Sequence, residues 1–320
     1  MKPELVLGTQ KPSKYTTTIH TKDGAISSEF AELVLELEKL LERKIWLLVQ
    51  GVDEDDWGTI SARLYQGFHD KKDEILPSDK IGLLIHSFGG QSDYAYKIVR
   101  LFQRRTDDFV TIVPLAAKSA ATLMAIGGKT IVMGMDAELG PIDVQTYDDD
   151  KGIYVSALNT VQSLERLNVS ALTSLDQLMQ LLVMRTGKKP EALMSLACSY
   201  ATNIVRPLME KIDTIELTRM SRELKVAEDY AVRLMRGHYT SVEAQHIAMS
   251  LVSRYSTHGF VIDQTEAGNG GSIPRKPLNL GLHLSYPKKP IEELFTKLER
   301  HLEKLNEIGR IVEISDEKGQ

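Results

Sequence analysis

Ser119 and the pair Gly89-Gly90 are the residues best suited to do chemistry in this chain. A serine hydroxyl becomes a useful nucleophile at a sharp turn, beside unpaired backbone N–H groups and a group that takes its proton. Ser119 follows the apolar run Phe109–Leu115 and the link Ala116-Ala117-Lys118, and it opens a helix-like stretch that closes at Gly127-Gly128. Gly89-Gly90 ends another apolar run, Ile81–Ile85, through His86-Ser87-Phe88. Two residues without Cβ let the backbone turn sharply with its amides facing outward. The chemistry this would serve is acyl transfer. Ser119 attacks a carbonyl, and N–H groups of the Gly89-Gly90 turn and of Ala120, the residue after the nucleophile, hold the oxyanion. The same residues also read as a helix-entry turn and a helix N-cap.

Such groups meet only if the surrounding elements bring them to one edge. From Ile81 to Gln145, short apolar runs alternate with amphipathic helices. One helix places Tyr94, Ile98, Val99 and Phe102 on one face, and a third run, Thr130–Met133, leads into Gly140-Pro141-Ile142-Asp143. This alternation predicts an α/β fold, a parallel β-sheet with crossover helices. In open parallel sheets the ligand sits beyond the carboxyl ends of the strands, which is where Gly89-Gly90 and Ser119 fall.

Upstream, the pattern predicts a helix over Glu29–Arg43, a buried strand over Lys44–Val52 and a helix over Trp57–Phe68. The acidic tract Asp53–Asp56 reads as the cap of that last helix rather than a metal site. Beyond Gln145, Asp148–Gly152 reads as a polar turn. Helices follow over Val155–Leu167, Ala171–Thr186, Pro190–Lys211, Thr214–Met235 and Ser241–Tyr255, and Pro290 opens a last one, Ile291–Leu305. The chain thus divides into an N-terminal arm (1–25), disordered or paired with a partner, and an α/β core with the nucleophile (26–150). A helical extension (151–290) packs on the core and forms an oligomer interface, and a C-terminal helix and tail (291–320) follow.

Hydrophobic and charged contents of 42% and 26% are those of a soluble globular protein. A net charge of −5 argues against nucleic acid as the main partner, which needs a basic footprint. The single cysteine, Cys198, excludes an intrachain disulfide and reads as a small core residue in a reducing compartment. No stretch approaches the roughly 20 apolar residues of a membrane span, and no signal-peptide pattern opens the chain. The expected location is cytoplasmic. No Gly-x-Gly-x-x-Gly fingerprint follows a strand, which disfavours a nicotinamide dehydrogenase.

Three segments in order, His86-Ser87-Phe88-Gly89-Gly90, Ser119-Ala120-Ala121-Thr122-Leu123 and Leu139-Gly140-Pro141-Ile142-Asp143-Val144-Gln145, resemble the serine dehydrogenase proteinase family. That family belongs to the Clp-protease/crotonase superfamily and is related to signal peptide peptidase A. Its motifs are His-Thr-Pro-Gly-Gly-like, Ser-Gly-Gly-Thr-Leu-like and Leu-Gly-Pro-Val-Asp-Pro-Gln-like. Thr257-His258-Gly259-Phe260-Val261-Ile262 resembles a later segment of the family, and the resemblance covers most of residues 30 to 285. Phe88 replaces the turn proline, Ala120-Ala121 replace two glycines and Val144 replaces a proline.

The resemblance implies a Clp/crotonase-like sheet and a homo-oligomer. The implied enzyme is a serine peptidase acting on a protein or peptide substrate, without metal or organic cofactor. The general base stays open. The signal-peptide-peptidase branch uses a lysine some tens of residues after the serine, which points to Lys151 and, more remotely, Lys211. His258 is the other choice, in a motif-like segment and titrating near neutrality. Lys118, next to Ser119, would point the other way. Two further readings are a catalytically inactive oligomeric scaffold or peptide-binding protein, and an acyl-CoA enzyme of the crotonase type. The Ser119 motif argues against the latter.

Overall fold

The computed structural model describes residues 14–51, 57–148, 152–255, 257–268 and 279–314. The chain begins with two short strands, β1 (Tyr15–Thr17) and β2 (His20–Thr21). Ser27 then caps α1 (Ser28–Leu41) by accepting the Phe30 N–H, and Phe30, Leu33, Val34 and Leu37 form its buried stripe. In β3 (Lys44–Gln50) every residue after Lys44 is buried. Helix α2 (Ala62–Asp70) is capped by Ser61 and leads to β4 (Lys80–His86), α3 (Ser92–Arg105) and β5 (Asp108–Val113). Then come β6 (Ala116–Ala117), the wholly buried α4 (Ala120–Ala125), β7 (Ile131–Met133) and β8 (Glu138–Leu139).

A hairpin of β9 (Gln145–Asp148) and β10 (Ile153–Ser156) precedes three long helices, α5 (Ala157–Thr186), α6 (Pro190–Met209) and α7 (Thr214–Met235). The chain ends with α8 (Ser241–Ser253), β11 (Ile262–Asp263), α9 (Gln264–Ala267), β12 (Leu284–Ser285), α10 (Lys289–Leu302), β13 (Asn306–Gly309) and β14 (Ile311–Glu313).

Among the described residues the main sheet runs β12-β7-β5-β4-β3-β13-β2. The pairs from β12 to β3 are parallel; β13 and β2 join antiparallel. Burial of both faces explains why β3, β4 and β5 read as continuous apolar runs. On one face Ile45, Leu47, Val49, Leu84 and Ile112 pack with the apolar sides of α1 and α10. On the other, Trp46 meets Phe68 of α2 and Phe102 of α3 at ring-centroid distances of 6.1 and 5.8 Å. A second small sheet, β11-β8-β6, carries the strand that leads into Ser119.

The chain forms two units, residues 1–142 with 229–320, and residues 143–228. The mixed α/β architecture with a mostly parallel central sheet is the expected one. Several details differ. Residues 14–21 of the expected arm pair with the chain's own C-terminal strands, β1 with β14 and β2 with β13. Helix α2 starts at Ala62 on Ser61, and the acidic tract Asp53–Asp56 lies outside the described residues. Helix α5 is one element where two were expected: Asn168-Val169-Ser170 are weak helix formers, but no Gly or Pro interrupts them. Thr240 caps α8, through a capping box with Glu243. Cys198 is exposed rather than a core residue, because α6 buries Leu193, Ala197 and Ala201 and turns Cys198 outward.

Candidate active site

Ser119 stands between β6 and α4 with φ 51° and ψ −119°. A non-glycine residue reaches this region only when its surroundings impose it. A strained strand-to-helix turn of this kind lifts a serine Oγ clear of the sheet. Ser119 makes no capping hydrogen bond to α4, so its hydroxyl is not consumed in starting the helix. The residue is half-buried, while Lys118 before it and Ala120 after it are buried.

The Gly89-Gly90 turn lies against this serine. A Cβ added to Gly89 (φ 114°) would fall 2.9 Å from Ser119 Cβ and 3.3 Å from the Ala120 nitrogen. Gly90 (φ 143°) packs on the Ile60 backbone, where a Cβ would meet the Ile60 carbonyl oxygen at 2.4 Å. Ile60 clamps the turn by donating its N–H to Gly89 O (3.0 Å) and accepting from Gln91 N–H (2.8 Å). No side chain larger than hydrogen fits either position.

The three amides differ in what they do. Gly89 N–H donates to Ser87 Oγ at 3.1 Å, and Ser87 Oγ–H donates to Gln50 Oε1 at 2.6 Å. Gln50 in turn donates from Nε2 to Trp57 O. The Gly89 amide is therefore spent on a buried relay that anchors the turn. Among the described residues Gly90 N–H and Ala120 N–H donate to no protein acceptor. Those two are the donors left for an oxyanion.

The third motif fixes the other side of Ser119. Buried Thr122 Oγ1 lies 2.7 Å from Ala117 O and 2.8 Å from Gly140 O, and it accepts Gly140 N–H at 3.1 Å. One hydroxyl thus ties α4 to β6 and to the Gly140-Pro141 turn. Lys118 packs its stem against Gly140, and its ammonium pairs with Glu138 at 2.7 Å and reaches Leu139 O at 3.4 Å. Its charge is committed to Glu138.

The base candidates are placed less completely. Lys151 lies outside the described residues. His258 is half-buried in the segment between α8 and β11, and β11 reaches β6 through β8. Lys211 is exposed after α6, and Asp143 is buried; both belong to the 143–228 unit. His86, the last residue of β4, is fully buried with neither ring nitrogen hydrogen-bonded, 5.6 Å from the Phe88 ring. Burial pushes its pKa down to about 4, so at neutral pH it is an uncharged packing group.

Sequence reasoning missed Gln50. It sits 37 residues before Ser87, and only the parallel register of β3 on β4, with Val49 opposite His86, brings the two together. Neither a protein-family model nor a curated protein sequence matches this chain.

Proposed function

We propose that this chain is a serine peptidase of the Clp-protease/crotonase superfamily, of the serine dehydrogenase proteinase type. The observation that carries this reading is Ser119 at φ 51° and ψ −119°, its hydroxyl uncapped, beside the unspent amides of Gly90 and Ala120. In the proposed reaction Ser119 Oγ attacks a peptide carbonyl carbon, and its proton passes to Lys151 or His258. The two amides hold the oxyanion. Collapse of the tetrahedral intermediate expels the amine, which takes that proton, and leaves an ester on Ser119. Water then cleaves the ester, giving the free acid and restoring the hydroxyl. Phe88, half exposed at the turn, offers an apolar seat for a substrate side chain. The resemblance adds a homo-oligomer that needs no cofactor, and the expected location is cytoplasmic.

The test is labelling of the full chain with a fluorophosphonate probe, which reacts with activated serines. Labelling is expected in the wild type, absent in Ser119→Ala and diminished in either Lys151→Ala or His258→Ala, with each variant folded by circular dichroism. A folded wild type that stays unlabelled from pH 6 to 9 would sink the peptidase reading. It would favour the second one, a peptide-binding protein without turnover. The exposed Phe88 beside the glycine turn and the commitment of Lys118, the cation adjacent to Ser119, to Glu138 support that alternative.

A further inference from the structure

Two cavities of about 660 and 430 Å³ adjoin along Lys129, Gly237 and His238. Both are of the size that takes a small-molecule ligand. They lie at the edge of the sheet away from Ser119. Thr106, Asp107 and Phe109, at the amino end of β5, and Lys129 and Thr130, just before β7, line them. Gly89-Gly90 instead follows the carboxyl end of β4, and β4, β5 and β7 are parallel.

The smaller cavity collects positive charge: Arg100, Lys129, Arg233 and Arg236 all line it. Among the described residues none of the four has a carboxylate within ion-pair distance, and Arg100 is held only by a 2.8 Å bond to Gln103 Oε1. This is unusual for a chain with 44 acidic and 39 basic residues, in which other exposed arginines such as Arg219 find two glutamates. Asp107 is the one acid among the described lining residues. Like charges gathered in a groove repel unless an anion sits between them. His238, at the seam, registers the same field. Burial first, and then Lys129 and His283, hold its pKa below the ordinary histidine value.

The larger cavity is different. Leu282, Leu284 and Tyr286 form an apolar and aromatic wall, and Tyr286 is about half exposed. His283, also in the lining, is stacked on Tyr239 at a centroid distance of 4.1 Å, and its backbone N–H donates to Tyr239 Oη at 2.7 Å. His283 is thus tied to Tyr239, and Tyr286, on the same stretch of chain, offers a ring surface beside the cationic mouth.

We propose that these joined cavities bind a nucleoside polyphosphate, with its base against Tyr286 and Leu284 and its phosphates among Arg100, Lys129, Arg233 and Arg236. Guanidinium groups suit phosphate oxygens, and an aromatic face suits a base. The net charge of −5 disfavours a long polyanion and leaves a small one that fits between the four cations. This site is independent of whether Ser119 is reactive.

Isothermal titration of ATP into the full chain tests it, with EDTA present so that the cations meet bare phosphates. One saturable site is expected, weakened as salt is raised. Arg233→Glu with Arg236→Glu, both at exposed positions, should weaken ATP by about tenfold or more. Tyr286→Ala should weaken ATP without changing the affinity for inorganic tripolyphosphate, which should itself bind more weakly than ATP. The assignment is overturned by no saturable binding at millimolar ATP, by unchanged affinity in the folded double variant, or by tripolyphosphate binding as tightly as ATP.

Discussion

The backbone of Ser119 separates it from every other described residue. Among the described residues Glu42 is the only other non-glycine residue at positive φ, and its φ 52° and ψ 43° are the ordinary left-handed end of α1. At ψ −119° Ser119 is outside that well, a placement that costs about 1–3 kcal/mol. Alanine at this position keeps the strain, whereas glycine relieves it and gives back part of the gain as unfolded-chain entropy. Ser119→Gly should therefore be more stable than Ser119→Ala by about 1 kcal/mol in urea unfolding. Equal stability of the two would show that the turn is not strained. The serine and the two glycines could be read from the sequence because each is the residue type its backbone or its chemistry demands. The role of Gly89 N–H could not, because the Ser87 and Gln50 side chains that engage it meet only through strand pairing.

Helix α4 has only six residues, too few to be stable alone, so its position must come from tertiary contacts. Thr122 supplies them, bridging Ala117 and Gly140 from a fully buried position. Valine has the same shape and no hydroxyl. Thr122→Val should lower stability by about 2 kcal/mol by removing the hydroxyl proton shared between the Ala117 and Gly140 carbonyls and one of the two acceptors of the Gly140 N–H. Thr122→Ser keeps the hydroxyl and should lose only about 1 kcal/mol with the methyl group. Denaturation curves showing the reverse order would mean that packing, not the bridge, holds α4. Apolar runs and their punctuation were enough to place β4, α3, β5 and the helix after Ser119. They were not enough for β13 and β14. Asn306-Glu307-Ile308-Gly309 has no strand pattern of its own, and its place is set by β3 on one side and β2 on the other.

That late strand also buries a carboxyl group between β3 and β2, with consequences for the stability of the entire chain. Glu307 is 2% exposed, and burial is the main cause that pushes its pKa up to about 8 from 4.5. His86 is pushed the other way, to about 4 from 6.5. Below pH 4.5 Glu307 is protonated whether folded or unfolded. Between pH 4.5 and 8 the unfolded chain releases that proton and the folded chain keeps it, so this contribution to stability falls as pH rises. For His86 the unfolded chain holds the extra proton between pH 4 and 6.5, so its contribution grows with pH and is complete above 6.5. Each slope is about 1.4 kcal/mol per pH unit. The two cancel between pH 4.5 and 6.5, and beyond pH 6.5 Glu307 acts alone. Its effect from pH 6.5 to 8 should be a loss of about 2 kcal/mol. Glu307→Gln keeps the shape and removes the titration, so urea unfolding at pH 5, 6.5 and 8 should show the variant gaining on the wild type as pH rises. A wild type and variant that run parallel from pH 6.5 to 8 would mean that Glu307 is already ionised in the folded protein, stabilised by the Thr21 and Lys22 groups that lower its pKa.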